Sequence, residues 1–299
     1  MSTKFAIHAL KPALVGAALL WSVTASAAAV YANGTAPGDA YTNAGGSNQG
    51  QAIGTSGWYY NNVRNSGTAG ISTALPRSGN GSVALSGTVG PGGASSKADI
   101  EYLSGGTSFF NNFYSTTSMG LFTSFSSMSY DWYRNSTSTN NAVQHPALRI
   151  LLDLDGNLAT TGDRGGLVFE RAYNVGGNVP TDTWTSESID ASTKLWNFGL
   201  GLGNEFNIDG VGDQYDMLSV WQASGRTANA VILGFSSGVG SGWGPFSGAV
   251  DNIAWTIGNA TTTSNFEVMG GGTVPEPGTL ALAGLAFAGL VALRRRKVA

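Results

Sequence analysis

The sequence predicts an all-β protein: an antiparallel β-sandwich of jelly-roll type with one short helix, followed by a single transmembrane helix at the C-terminus. Glycine accounts for 44 of the 299 residues, and Ser, Thr and Asn also fill the spaces between short apolar runs. This composition supplies turns and disfavours long helices. Several apolar runs alternate with polar residues at the period of a β-strand. Because strand and helix patterns do not alternate along the chain, two packed antiparallel sheets are the simplest architecture.

The most central strand is expected at residues 148–154, which place Leu148, Ile150, Leu152 and Leu154 on one face and Arg149, Leu151 and Asp153 on the other. A loop of about ten residues leads from it into a second strand at 167–173, so the two form a hairpin. The other clear strands are expected at 82–89, 127–133, 184–189, 195–198, 230–235 and 248–257. One helix is expected within 213–223, because Tyr215 and Leu218 recur at helical spacing between an Asp cap and Gly225.

The two ends of the chain have the composition of export signals. Lys4 and Lys11 precede an apolar run at 13–23, and Ala25 and Ala27 form a small-residue cleavage site, so residues 1–27 are predicted to be a secretory signal peptide. Four further segments are expected: an irregular Gly- and Asn-rich segment at 28–57, the β-sandwich domain at 58–257, a linker at 258–273 and a membrane tail at 274–299.

The tail has three parts: a turn stiffened by prolines, an uncharged apolar run at 280–293 and a block of cations. The turn is Val274, Pro275, Glu276, Pro277 and Gly278, and the cations are Arg294, Arg295, Arg296 and Lys297. Fourteen helical residues span about 21 Å, which is short of the roughly 30 Å of a bilayer core and predicts a marginal anchor. The cations are expected to stop transfer on the cytoplasmic side, which leaves the preceding chain outside the inner membrane.

This order of Pro-Glu-Pro turn, short apolar helix and basic end resembles the PEP-CTERM sorting signal of Gram-negative bacteria. The resemblance implies recognition by exosortase, a membrane protease-transpeptidase that reads the Pro-Glu-Pro motif. It further implies export, temporary retention in the inner membrane, removal of the tail and delivery to the cell surface or to extracellular polysaccharide. An ordinary single-span anchor is the alternative, although such anchors usually have about 20 apolar residues.

The region between the two signals is acidic. Residues 28–273 contain nine Lys and Arg against seventeen Asp and Glu, a formal charge of −8. Because phosphate neutralisation by basic residues dominates nucleic-acid binding, this balance argues against nucleic acid as a partner. The chain has no cysteine, so an exported domain must be stabilised by its core without disulfides.

No catalytic machinery is expected. His145 is the one histidine after the signal peptide, which excludes a multi-histidine zinc site, and its expected role is structural. Residues 234–238 have the Gly-x-Ser-x-Gly spacing of a nucleophile elbow, but neither a helix pattern nor a histidine follows them as that fold requires. The carboxylates available to a glycosidase include Glu101, Glu170, Glu187 and Glu205, whose separation the sequence leaves open.

Two oxygen-rich loops are candidates for a structural calcium ion, with ordinary turn chemistry as the alternative interpretation. The candidate ligands are Asp153, Asp155 and Asn157, with Asp163 beyond them, in the first loop, and Asp209, Asp213 and Asp216 in the second. Neither loop has the twelve-residue EF-hand pattern that ends in Glu. A bound ion is expected to add stability rather than to create the fold.

Residues 243–253 resemble the closing strand of jelly-roll domains, many carbohydrate-binding modules among them. The aromatic stretches 58–60 and 130–133 would stack on sugar rings if exposed, although core packing is their more frequent role. The expected function is that of an exported, exosortase-sorted, non-enzymatic surface or matrix protein associated with exopolysaccharide or biofilm. Two alternatives stay open: a lectin like a carbohydrate-binding module, which needs a row of exposed aromatics, and a polysaccharide-active glycosidase, which needs two close carboxylates in a cleft.

Overall fold

Two eight-stranded β-sheets pack face to face in the computed structural model, which describes residues 27–88, 95–105, 115–202, 207–208, 215–241 and 243–269. One contiguous core lies between the sheets and takes side chains from both of them. The β-sandwich predicted from the sequence is confirmed.

Sheet A consists of β1 (Ala28–Thr35), β2 (Tyr41–Asn43), β5 (Gly67–Ser72), β6 (Ser82–Gly87), β8 (Phe125–Arg134), β11 (Trp184–Ile189), β15 (Phe246–Ile257) and β16 (Ala260–Met269). The long strand β15 pairs with β8, β6 and β16, and β11 forms an edge beside β8. β1 runs parallel to β16, whereas the other described pairings in this sheet are antiparallel.

Sheet B consists of β3 (Gln49–Ala52), β4 (Trp58–Arg64), β7 (Lys97–Leu103), β9 (Ala147–Asp153), β10 (Arg164–Phe169), β12 (Lys194–Gly199), β13 (Asp216–Met217) and β14 (Val231–Val239). Its order is β13, β12, β10, β9, β14, β7, β4, β3. β9 lies between β10 and β14, which confirms it as an interior strand, and the β9–β10 hairpin is the one that the sequence predicts.

The described helical segments are short. They are one α-helix, α1 (Leu218–Ala223), and the 3₁₀ turns Phe122–Ser124, Arg171–Tyr173 and Gly225–Thr227. Among the described residues, no helix is long and apolar enough to cross a membrane. The predicted transmembrane helix at 280–293 lies outside the described residues.

Aromatic side chains join the two sheets at the centre of the core. Phe235 of sheet B stacks on Trp255 of sheet A with ring centroids 4.6 Å apart. Trp58 of sheet B meets Phe266 of sheet A edge-on at 5.0 Å. Trp58, Phe235 and Phe266 are at most 1% exposed, and full burial of a side chain such as Phe contributes about 1.5–3 kcal/mol.

The expectation of an irregular segment at 28–57 is wrong, because β1, β2 and β3 lie within it. Side-chain hydrogen bonds and a few core residues, Val30, Ala32 and Ile53, hold this segment in place. The Asp39 carboxylate accepts hydrogen bonds from the amides of Asn33 and Gly34, each at 2.8 Å, and from the Tyr60 hydroxyl at 2.6 Å. Ala32 is 2% exposed. These strands therefore lack the run of large apolar residues at strand period that β9 has.

The expectation of a linker at 258–273 is wrong for residues 260–269, which form β16. Ser264, Phe266 and Val268 are buried at every second position, which is the period of a strand. The first residues of β16, an Ala and two Thr, are exposed and gave the segment the composition of a linker.

Two predicted elements are shorter than expected. The helix begins at Leu218, because Asp216 and Met217 pair with β12, and the Asp216 carboxylate accepts a hydrogen bond from the Ile208 amide instead of capping the helix. The strand expected at 167–173 ends at Phe169. Its continuation turns away because the Arg171 amide donates to the His145 ring rather than to a neighbouring strand.

Candidate functional site

The face of sheet B that points away from the core carries a row of side chains aligned across six strands. Directly paired residues share one face of an antiparallel sheet, so a chain of pairings defines such a row. The row runs across β4, β7, β14, β9, β10 and β12 through Tyr59, Glu101, Ser236, Arg149, Val168 and Trp196. This surface is called the outer face below. Arg149 is on it because it alternates with the core residues Leu148 and Ile150.

A buried ion pair lies on the outer face at Asp99, two residues from Glu101 along β7. Arg149 Nη1 donates to Asp99 Oδ1 at 3.0 Å and to the Ser236 hydroxyl at 3.1 Å. Lys97 Nζ lies 2.7 Å from Asp99 Oδ2. Burial opposes the charge of Asp99, but Arg149 and Lys97 outweigh it and lower the pKa of this carboxyl. Asp99 therefore stays charged and holds the Arg149 guanidinium in one orientation.

Glu101 is held by two adjacent side-chain amides. Asn61 and Asn62 both donate to its carboxylate, Asn62 at 2.7 Å. Neighbouring residues of a regular strand point to opposite faces, but a register shift in β4 and a φ of 52° at Asn62 bring both to the outer face. Burial, and then the charge of Asp99, raises the pKa of Glu101 to about 7. At neutral pH this carboxyl is close to its midpoint.

A groove of about 270 Å³ opens on the outer face next to this cluster. Its lining combines aromatic and charged side chains: Lys97, Ala147, Arg149, Val168, Glu170, Trp196, Phe198, Gly240, Ser241 and Trp243. The three aromatic residues are half-buried, so part of each ring is open to solvent. Trp196 and Phe198 are arranged edge to face with centroids 6.5 Å apart. Burial raises the pKa of Glu170, although Arg149 and the Trp196 side chain favour its charged form.

Two glycines shape this surface. A Cβ on Gly238 would lie 2.1 Å from Asp99 Oδ1, so the missing side chain makes room for the buried ion pair. A Cβ on Gly166 would lie 3.0 Å from Cε1 of Phe198, so the Phe198 ring lies against backbone. The groove thus offers aromatic surface and charged hydrogen-bonding groups side by side.

The aromatic stretches singled out in the sequence lie mostly in the core. Trp58, Tyr60, Tyr130 and Trp132 are at most 1% exposed, as the more frequent role of such residues predicted. Tyr133 is half-buried on sheet A, where its ring lies 5.7 Å from that of Trp184. The groove aromatics were missed, although Trp196 and Phe198 alternate with Leu195 in a stretch predicted as a strand.

His145 is buried at 2% exposure between the sheets and does not line the groove. Its Nε2 accepts the Arg171 amide at 2.9 Å, which leaves the ring proton on Nδ1, 2.9 Å from the Pro146 carbonyl. Its ring stacks on Trp132 with centroids 4.8 Å apart. Burial lowers the pKa of His145 to about 4, so the ring is neutral at physiological pH. These contacts fit the structural role that was expected.

The Gly-x-Ser-x-Gly sequence at 234–238 lies inside β14, not at a turn between a strand and a helix. Ser236 is 1% exposed and accepts a hydrogen bond from Arg149. Its hydroxyl does not have the exposed setting of a nucleophile elbow.

The glutamates considered for glycosidase chemistry are dispersed. Glu170 lines the groove, Glu101 is fully buried on β7, and Glu187 pairs with Arg171 on sheet A. Glu205 lies outside the described residues. Among the described residues, Glu170 is the one carboxylate that lines the groove.

Of the two oxygen-rich loops, the structure brings one set of carboxylates together. Oxygen atoms of Asp153, Asp155 and Asp163 all lie within 4.8 Å of one another. The Asn157 side chain accepts the Ala159 amide at 3.2 Å in a local turn. In the second loop Asp209 and Asp213 lie outside the described residues, and Asp216 holds the Ile208 amide.

The sorting residues 274–278, the cations 294–297 and Ala25 of the predicted cleavage site also lie outside the described residues, and β1 begins at Ala28. At the level of sequence, residues 273–297 match the family described as the PEP-CTERM protein-sorting motif. The chain carries a PEP-CTERM sorting motif. This confirms the resemblance seen in the tail and is consistent with an exosortase substrate that is exported and anchored in the membrane before release.

Two solved structures show a distant likeness to this PEP-CTERM protein. No curated protein matches the chain. A structure from a study of carbohydrate-binding modules of the β-sandwich superfamily is similar at 10% identity and a TM-score of 0.32, over 70% of this chain and 56% of that one. A family 11 carbohydrate-binding module from Clostridium thermocellum, in complex with a β-1,3-1,4-mixed-linked tetrasaccharide, is similar at 13% identity and a TM-score of 0.33, over 71% and 96%. The chain thus spans little more than half of the first structure, and at these values neither likeness bears on what it binds.

Proposed function

We propose that this chain is an exosortase-sorted surface or matrix protein that binds extracellular polysaccharide in the groove of sheet B and does not cleave it. The sorting motif at 273–297 supports delivery to the cell exterior. The observation that carries the binding part is the groove itself, with Trp196, Phe198 and Trp243 beside Arg149 and Glu170. Partly exposed aromatics on one sheet face or loop rim, here Trp196 and Phe198 on β12 and Trp243 in the loop before β15, are the feature that distinguishes a saccharide-binding module from a purely structural matrix protein.

The groove suits a sugar because it has aromatic rings for the C–H faces of the sugar and charged side chains for its hydroxyl groups. The open parts of the aromatic rings provide apolar area for the C–H faces of a pyranose. Arg149, Lys97 and Glu170 provide donors and an acceptor for hydroxyl groups. Arg149 is pinned by Asp99 at 3.0 Å, so little side-chain entropy is lost when it contacts a ligand.

Binding without cleavage is the proposal because hydrolysis of a glycosidic bond by the usual mechanisms needs two carboxyl groups that flank it. Glu170 is the one carboxyl group that lines the groove among the described residues. The buried Glu101 accepts hydrogen bonds from Asn61 and Asn62, and the buried Asp99 forms ion pairs with Arg149 and Lys97. A polysaccharide-active glycosidase is the competing function. It predicts release of new reducing ends from a bound polysaccharide, whereas the present proposal predicts none.

We also propose the finer features that the sequence suggests: removal of residues 1–27 on export, a single transmembrane helix at 280–293, sandwich topology of jelly-roll type, and a final location in exopolysaccharide or biofilm matrix. β15 spans Phe246–Ile257 and contains most of the segment that resembles a jelly-roll closing strand. The cations at 294–297 are the proposed stop for transfer through the inner membrane.

The sorting part is tested by Glu276→Ala in a strain that has exosortase. The variant should be exported normally, because the signal peptide is unchanged, but should stay in the inner membrane with its tail uncut. Replacement of Arg294, Arg295 and Arg296 together should instead let some chains pass fully into the periplasm. Release of Glu276→Ala at the normal rate would show that the tail is a simple anchor.

The binding part is tested with a glycan array probed by the purified full chain and by two single-tryptophan variants. Trp196→Ala removes a groove ring, and Trp184→Ala is the matched control on sheet A, since both tryptophans are half-buried. The proposal predicts saccharide signals that Trp196→Ala loses and Trp184→Ala keeps. The same glycans should be unchanged after incubation, as judged by their reducing ends.

A further inference from the structure

We propose that the β9–β10 loop binds one calcium ion through the carboxylates of Asp153, Asp155 and Asp163. Calcium prefers oxygen ligands at about 2.3–2.6 Å, so two ligands on opposite sides of one ion are up to about 5.2 Å apart. The three carboxylate oxygens lie within that distance of one another. The spacing therefore fits ligation of a single ion.

A second observation points to a ligand independently of this spacing. Asp153 is fully buried, and its Oδ1 finds no hydrogen-bond donor among the described residues. Its other oxygen, Oδ2, accepts from Arg164 Nε at 3.0 Å. A buried carboxylate oxygen normally has a partner, because burial without one costs free energy. A cation at the carboxylate cluster would supply that partner.

The charge of the cluster matches a divalent cation. The three carboxylates and the Arg164 guanidinium have a formal charge of −2. Among the described residues, Arg164 is the one basic residue that forms an ion pair with these carboxylates. At this spacing the negative charges of the three carboxylates repel one another. A bound calcium ion would remove this mutual repulsion.

The loop is held in place before any ion binds. Asp153 and Arg164 are paired directly at the ends of β9 and β10, so the site is fixed to two interior strands of sheet B. Arg164 Nη2 also donates to the Leu158 carbonyl at 3.0 Å, and the Asp155 amide donates to Asp163 Oδ2 at 2.9 Å. Carboxylate oxygens left over from these bonds are available to a metal ion with little rearrangement.

The test is calorimetric titration of the purified, chelator-treated full chain with CaCl₂, with MgCl₂ in parallel. Asp155→Asn and Asp163→Asn each remove one charged ligand and keep the side-chain shape. Asp190→Asn is the matched control, since the exposed Asp190 carboxylate accepts hydrogen bonds from the Ser192 amide and the Thr193 hydroxyl in the turn between β11 and β12. Asp153 is left unchanged, because its substitution would leave Arg164 buried without its partner.

The expected result is one calcium ion per chain, at least tenfold weaker binding in both test variants, and unchanged binding in Asp190→Asn. Calcium should also raise the unfolding temperature of the unmodified chain and of Asp190→Asn, but much less that of the two test variants. Absence of calcium binding, or one-site binding that both test variants retain, would overturn the proposal. Tighter binding of magnesium than of calcium would overturn the choice of ion.

Discussion

Replacement of Phe266 by Ala tests whether β16 is part of the folded domain. Phe266 is fully buried, its ring meets that of Trp58 at 5.0 Å, and its amide donates to the Asp251 carboxylate at 3.0 Å. Removal of a buried phenylalanine ring from a core costs about 3–5 kcal/mol, from lost transfer free energy and from the cavity left behind. Because both sheets contact this ring, little local collapse is available, and a loss of about 4 kcal/mol is expected.

The assay is urea unfolding followed by tryptophan fluorescence. Phe266→Leu keeps most of the volume and should lose about 1 kcal/mol, which gives a measurable point if the Ala variant is too unstable to fold. Thr262→Ala, at an exposed position of the same strand, is the control and should change the free energy of unfolding by less than about 0.5 kcal/mol. Equal unfolding midpoints for Phe266→Ala and Thr262→Ala would refute the placement of β16 in the core and restore the linker interpretation.

Burial raises the pKa of Glu101 from an ordinary 4.5 to about 7, so its proton is bound more tightly in the folded protein than in the unfolded chain. The resulting stabilisation is fully present below pH 4.5 and is lost as the pH rises through 7, which lowers the free energy of unfolding by roughly 3 kcal/mol. Glu101→Gln should therefore flatten the decline of stability between pH 5 and 8 in urea unfolding; an unchanged slope would assign the decline to other groups. His145 should stay neutral as the pH falls from 8 to 5.5, because burial lowers its pKa to about 4, and its NMR ring signals should not shift; a midpoint near 6.5 would mean that the ring is accessible to solvent. Exported protein should begin near Ala28, so an intact mass that includes residues 1–27 would contradict the signal peptide.

The parts of the fold that the sequence predicts are those in which large apolar residues alternate. Leu148, Ile150 and Leu152 identify β9, and the loop after it defines the hairpin with β10. The missed strands have too few large apolar residues in those positions: Val30 is followed by Ala32 in β1, and in β16 exposed Ala and Thr residues and the buried Ser264 precede Phe266. Their stability comes from side-chain hydrogen bonds and tertiary contacts, which local periodicity does not contain.

The groove on sheet B could not be predicted from the sequence for a related reason. Arg149 and Asp99 lie far apart along the chain and meet across β14, which lies between β7 and β9. No local pattern encodes that order of strands. The alternation in β9 did predict that Arg149 and Asp153 share the face opposite the core. It did not predict that both side chains would be buried there in ion pairs.

The central claim is that the groove of sheet B binds polysaccharide. Its most direct measurement is calorimetric titration of the full chain with the strongest saccharide from the array, repeated with Trp196→Ala and Trp184→Ala. The account predicts that Trp196→Ala weakens binding at least tenfold, which corresponds to about 1.4 kcal/mol, and that Trp184→Ala leaves the affinity unchanged. Undiminished binding by Trp196→Ala, or a loss confined to Trp184→Ala, would contradict it.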